Sequence, residues 1–262
     1  MQDGPLRNAY LDALGIDRWV RRDAPAESVP EAPIASAPVT APPTSAIARQ
    51  VRAEAVSASV PVPVRARAPL GPITDWDELR GLVAACTACD LCKTRTQTVF
   101  GVGDTRADWL VIGEAPGGDE DRQGEPFVGR AGQLLNAMLL AIGLPRETVF
   151  IANILKCRPP GNRDPKPEEV ANCLPFLAAQ IALLKPKIIL VVGRIAAQTL
   201  LGTDAPLARL RGKLHHFGEA RTPLVITYHP AYLLRTPADK RKAWDDLKFA
   251  RATYQKLAAG TN

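Results

Sequence analysis

Four short apolar runs, at 109–112, 149–151, 188–192 and 224–227, alternate with stretches that carry helical periodicity. The intervening helical patterns fall at 131–142, 167–184 and 195–201, and a last one spans 239–257. A run that is apolar without alternation is buried on both of its faces, and strands joined through helices run parallel. The pattern therefore predicts an α/β fold: a mostly parallel four-stranded sheet with helices on both faces. Asp75 supplies an N-cap for one more helix, which carries Leu79, Leu82 and Val83 into the Cys86–Cys89 pair.

This organisation covers only part of the chain. Residues 24–72 are rich in Ala, Pro, Val and Ser, a composition that buries too little apolar surface to offset its ordering entropy, so a disordered linker is expected there. Residues 1–23 contain Leu14 and Trp19 in a short amphipathic pattern and read as a docking segment for a protein partner. The folded domain is expected over 73–262. The N-terminus lacks the basic-then-apolar order of a signal peptide, and no run is long enough to span a bilayer, so the expected location is the cytoplasm. Net charge is +6, and residues 1–70 carry 8 Lys and Arg against 7 Asp and Glu, which leaves the excess on the folded part. A basic face suits a polyanionic partner.

The 5 cysteines are unevenly used. Cys86 and Cys89 form a Cys-x-x-Cys pair, and Cys157 and Cys173 follow far downstream. In a chain without secretory features, four such thiolates point to a bound metal centre rather than disulfides. Zinc and an iron–sulfur cluster both fit this spacing. Cys92 extends the pair to Cys-x-x-Cys-x-x-Cys, but the bacterial ferredoxin pattern needs a cysteine at position 96, where Thr96 stands.

Open parallel sheets bind ligands beyond the carboxyl ends of their strands. Here those ends carry Gly113-Glu114, Asn153, Gly193 and His229. A carboxylate, an amide and an imidazole thus meet at one rim, with glycines that let backbone approach closely.

Four segments carry a family resemblance: Gly113-Glu114-Ala115-Pro116-Gly117-Gly118-Asp119-Glu120-Asp121, Gly124 to Gly132, Ile151 to Asn162, and His229-Pro230-Ala231-Tyr232-Leu233-Leu234-Arg235. In order and spacing, from Cys86 to the C-terminal helix, they resemble the family-4 uracil-DNA glycosylases. The resemblance implies a three-layer α/β/α fold and hydrolysis of the N-glycosidic bond of deoxyuridine in DNA, which starts base-excision repair. The target base would be flipped out of a duplex or taken from single-stranded DNA.

The same resemblance assigns roles. Phe127 would stack on uracil, with Gly113 and Ala115 beside it. Asn153 would read O4 and N3–H, since one amide offers a donor and an acceptor. His229, as a neutral imidazole, would donate to O2, where negative charge develops on the leaving base. Ala115 stands where the better-known family-1 enzymes carry an Asp, so water activation is expected to fall to Glu120 first and Glu114 second. By their own chemistry, Arg158 and Arg163 on a stiff basic loop and Arg235 after His229 suit phosphates, and Leu233 and Leu234 either fill the gap left by the flipped base or start a helix and pack inward. Cys86, Cys89, Cys157 and Cys173 would hold a [4Fe–4S] cluster of structural role.

No Lys sits in a motif suited to Schiff-base formation, which implies a monofunctional glycosylase that leaves an abasic site; the protein is expected to be a monomer. Relatives that stay covalently attached to uracil-DNA carry a further His after a basic insertion. The histidines here are His215, His216 and His229, and none fits that place. The alternatives are a non-catalytic DNA-binding or polymerase-associated scaffold of the same fold, and an iron–sulfur electron carrier.

Overall fold

The computed structural model describes residues 70–260. The docking segment and all but the last three residues of the linker lie outside the described residues. Among those described, no helix is long and apolar enough to cross a membrane.

The four apolar runs form the centre of the sheet. Strands β2 (Trp109–Gly113), β3 (Phe150–Asn153), β4 (Ile188–Val192) and β6 (Thr222–Thr227) run parallel. Two short strands, β1 (Val102–Gly103) and β5 (His215–Phe217), add antiparallel edges, giving the order β1-β3-β2-β4-β6-β5. The sheet is therefore six-stranded, with the expected four parallel strands inside it. A strand of two or three residues is too short to show a hydrophobic period, which is why the edges are silent in the sequence.

Alternate residues of each central strand enter two separate cores. Leu110, Ile112, Ile189, Val191, Leu224 and Ile226 face one side. There they meet α1 (Trp76–Ala84), α4 (Pro167–Leu184) and α5 (Arg194–Leu201) through Leu79, Val83, Phe176, Leu177, Ala196 and Ala197. Trp109, Val111, Leu190, Val192 and Val225 face the other side. That side is covered by α3 (Arg130–Ala141) and α8 (Lys240–Ala258) through Leu135, Met138, Leu139, Ala243, Leu247 and Ala250. The result is a three-layer α/β/α sandwich. Asp75 caps α1 as expected, its carboxylate accepting from the Glu78 N–H at 3.3 Å. Three short helices complete the chain: α2 (Gly118–Gln123), α6 (Leu207–Leu210) and α7 (Pro230–Arg235).

Candidate active site

The carboxyl ends of the strands open into a cleft of about 400 Å³ lined by Glu114, Ala115, Glu120, Phe127, Asn153 and His229, among others. Asn153 ends β3, and its register partner at the end of β2 is Gly113. The parallel ladder continues one step beyond the strands, with Ile154 N–H donating to Gly113 O and Leu155 N–H to Glu114 O, both at 3.0 Å. Asn153 is thereby fixed from both sides of its peptide. Its amide is buried, and Oδ1 has no hydrogen-bond partner in the protein. A buried acceptor without a partner costs roughly 1–3 kcal/mol, a penalty that a ligand N–H would remove.

Gly113 is glycine for a steric reason. A Cβ there would lie 2.4 Å from Asn153 Oδ1 and 2.6 Å from the Phe127 ring. Phe127 itself is held in a left-handed conformation, φ 55°. Such backbone strain persists only where the surroundings over-determine it. Arg146 does so by donating to Pro126 O at 2.6 Å and to Phe127 O at 3.3 Å. Gly132 completes the cradle, because any Cβ there would collide with Phe127 O at 1.8 Å.

His229 N-caps α7. Its Nδ1 accepts from Ala231 N–H at 3.1 Å. With Nδ1 an acceptor, the neutral ring carries its proton on Nε2. Burial, reinforced by the charge of Arg235, lowers its pKa to about 4, so the ring is neutral at physiological pH. The Phe127 and His229 rings lie 5.6 Å apart at 31°. Gly193, φ 100°, makes room for His229, since a Cβ would sit 3.0 Å from that of the histidine.

The two carboxylates differ sharply. Glu120 Oε2 accepts from Gly117 N–H at 3.0 Å, and Oε1 accepts from Val128 N–H at 3.0 Å and Gly129 N–H at 3.1 Å. Glu120 thus staples two loops of the cleft together. Glu114 lies half-buried beside the cleft, and its pKa is raised to about 7 by burial and by the charge of Asp164, against the opposing pull of Arg194.

One expected DNA contact is corrected, and another is already paired within the protein while still lining the cleft. Leu233 is buried in the core beneath α3 and α8, because adjacent side chains on a helix point about 100° apart and only one of the two leucines can face the core. Leu234 and Arg235 are exposed, and Arg235 lines the cleft. Arg163 is taken up by Glu169, to whose two oxygens it donates at 2.9 and 2.5 Å. A buried carboxylate requires such a partner, and the pair anchors the start of α4. Arg158 bonds Asn162 Oδ1 at 2.8 Å and lies close to Gly118. Asp164, Arg146 and Gly132 are parts of the site that the motifs did not assign. Only Gly132 left a trace, as an unexplained glycine at the start of a helix.

Cys86, Cys89, Cys157 and Cys173 all pack against one hydrophobic core. Cys157 and Cys173 are buried, whereas Cys86 and Cys89 lie half-buried on a strap that follows α1. Burial pushes the Cys89 and Cys157 thiols up, and Cys173 to about 12, with each neighbouring thiol adding to the cost of a second negative charge. Hydrogen-bond donors nonetheless converge on the sulfurs: Leu91 N–H on Cys89, Lys156 N–H on Cys173, and Arg95 on Cys157 at 3.1 Å. Lys156 is fully buried and bonds Asn153 O at 2.9 Å and Gln180 Oε1 at 2.6 Å.

Comparison with known proteins adds the following. The family model of the Uracil DNA glycosylase superfamily matches residues 100–248. The type-4 uracil-DNA glycosylase of Archaeoglobus fulgidus is 43% identical over 178 residues, covering 66% of this chain and 89% of that protein. The type-4 enzyme of Thermotoga maritima is 40% identical over 178 residues, covering 66% and 92%. A DNA polymerase of Bacillus phage SP01 is 31% identical over 139 residues, which make up 52% of this chain and 15% of that protein.

Proposed function

We infer the reaction from one premise: this chain belongs to the uracil-DNA glycosylase superfamily, with the type-4 enzymes. It hydrolyses the N-glycosidic bond of deoxyuridine in DNA, releasing uracil and leaving an abasic site. The observation that carries the assignment of residues is the unpartnered Asn153 Oδ1, facing a cleft shared with Phe127 and the Nε2–H of His229.

In the proposed arrangement, the extrahelical uracil slides against the Phe127 ring. Asn153 Oδ1 accepts from N3–H while its NH₂ donates to O4, a pairing that cytosine would not satisfy. As the C1′–N1 bond breaks, its electron pair moves onto the base and spreads to O2, where His229 Nε2–H donates. A preorganised donor at such a point contributes about 3–4 kcal/mol. The neutral ring suits this role, because nothing has to be deprotonated first. Water attacks C1′ from the far side of the sugar. We assign its activation to Glu114, whose pKa near 7 suits a base at physiological pH. Glu120, its oxygens occupied by three backbone N–H groups, keeps the loops of the cleft in place and sets its negative charge towards the cationic sugar. Leu234, Arg235 and Arg158 are assigned to DNA at the mouth.

The four thiols fit a [4Fe–4S] cluster. The sulfurs of Cys89, Cys157 and Cys173 accept hydrogen bonds, as metal-bound thiolates do, and burial raises the pKa of these three, so their thiolates need a compensating cation. Four thiolates of this kind can hold zinc or a cluster, and the likeness to the type-4 enzymes favours the cluster. When bound, the cluster would tie the strap to the loop after β3; it takes no part in the steps above. We place the protein in the cytoplasm, acting on DNA as a monomer.

The test is alkaline cleavage of an oligonucleotide bearing one uracil, using wild type, Asn153→Ala and His229→Ala. Strand breakage after alkali that depends on uracil, weakened in both variants, supports the assignment. Folded protein that yields no abasic product would leave a DNA-binding scaffold.

A further inference from the structure

One cation beside the cysteines has no role in the uracil cleft. Arg95 follows the 3-10 turn Asp90–Lys93 and sends its guanidinium inward. Nη1 donates to Cys157 Sγ at 3.1 Å, and Nη2 donates to Ala84 O at 3.1 Å. Ala84 ends α1, two residues before Cys86. A single side chain therefore joins the strap that carries the Cys86–Cys89 pair to the loop that carries Cys157. Its charge also acts on the Cys86 and Cys92 thiols. A solvated surface arginine would instead point outward and make neither bond.

We propose that Arg95 is a positioning residue of the cysteine centre: its guanidinium holds the strap in register with Cys157 and sets the reduction potential of the cluster bound there. This rests on the cluster assigned above. Hydrogen bonds to the sulfurs and nearby positive charge both favour the reduced, more negative cluster and so raise its potential. Two other sulfurs receive their donors from the backbone, at Leu91 and Lys156, where substitution cannot remove them. Arg95 is the side-chain lever. Arginine suits the place because it is always charged and its planar fork serves two acceptors at once, which an ammonium on a flexible stem does poorly.

The residue also has a second link. Thr96, its neighbour, donates from N at 3.0 and 3.1 Å and from Oγ1 at 2.7 Å to the buried carboxylate of Asp121. Asp121 follows Glu120 on α2. The two consecutive residues thus bond the cysteine centre on one side and the Glu120 helix on the other.

The experiment compares full-length wild type, Arg95→Gln and Arg95→Lys, purified without air. It reads iron and sulfide per chain, the potential for one-electron reduction by dithionite, and the rate at which visible absorption bleaches in air. Arg95→Gln is expected to have a more negative potential and to bleach roughly tenfold faster, the factor that loss of one charge-assisted hydrogen bond supplies. Arg95→Lys, which keeps the charge, should fall between. Loaded Arg95→Gln with wild-type potential and bleaching rate overturns the proposal alone. If Arg95→Gln does not load, Arg95→Lys decides: an unchanged potential overturns the proposal, and a lowered one supports it. Wild type without iron and sulfide overturns both the cluster and the proposal, whatever the outcome of the uracil assay.

Discussion

The uracil cleft and the cysteine centre are built on opposite principles. The cleft hangs from the ends of the most buried strands, and its parts are set before any ligand arrives. Asn153 is fixed by the ladder, Phe127 by Arg146 and Gly132, and His229 by the Ala231 N–H. The cysteine centre takes two of its thiols from a strap outside the sheet, and all of its raised pKa values oppose the charge it needs. The cleft is preorganised by the fold, whereas the centre, with the cluster proposed above, would gain its order from what it binds. Damage to the first should appear in rate, and damage to the second in stability.

The sharpest test of that division is Cys173→Ala. Binding energy at a structural metal centre is folding energy, often as large as the whole stability of a domain. The variant is expected to lack iron and to lose most of its cooperative melt; an iron-free protein that melts like wild type would break the comparison. His229→Ala or Asn153→Ala should do the reverse. Single-turnover uracil release should fall by about 10²–10³ while iron content and melting temperature stay near wild type. Gly113→Ala, whose methyl would displace both Asn153 and Phe127, is expected to slow release by at least about tenfold at unchanged iron content.

Glu114 sharpens the comparison through pH. If it is the base, the single-turnover rate should fall as pH drops through about 7, and Glu114→Gln should be slow and flat across that range. Stability carries the opposite sign. The folded-state pKa is raised above that of the unfolded chain, so the folded form is favoured at low pH and loses that advantage as pH rises through about 7. Glu114→Gln should therefore melt higher than wild type at pH 8 and alike at pH 4. His229, at about 4, contributes no titration near neutrality. The smallest effect is expected from Leu234→Ala, a few-fold loss on duplex uracil without change in melting temperature.

Much of this was legible in the chain. Short continuous apolar runs between helical patterns read as central strands, and β4 and α4 fall where the pattern places them. The cleft residues were legible because they sit at strand ends and in dense motifs. The division of labour between the carboxylates was not. Glu120 owes its role to N–H groups of Val128 and Gly129, eight and nine residues away, and no local pattern announces such a contact. Leu233 and Leu234 look equivalent until the helix turns one inward. Nothing in the sequence around Arg163 announces its pairing with the buried Glu169.

The half-exposed strap has a consequence for how the protein is made. Cys157 and Cys173 belong to elements that fold with the sheet, and the segment bearing Cys86 and Cys89 closes over them. The [4Fe–4S] cluster proposed above would lie beneath that segment, so the segment would have to stand open while the cluster enters. A chain without iron would keep its strap unfastened and, by the same stability argument, lose with it the cooperative order of the domain.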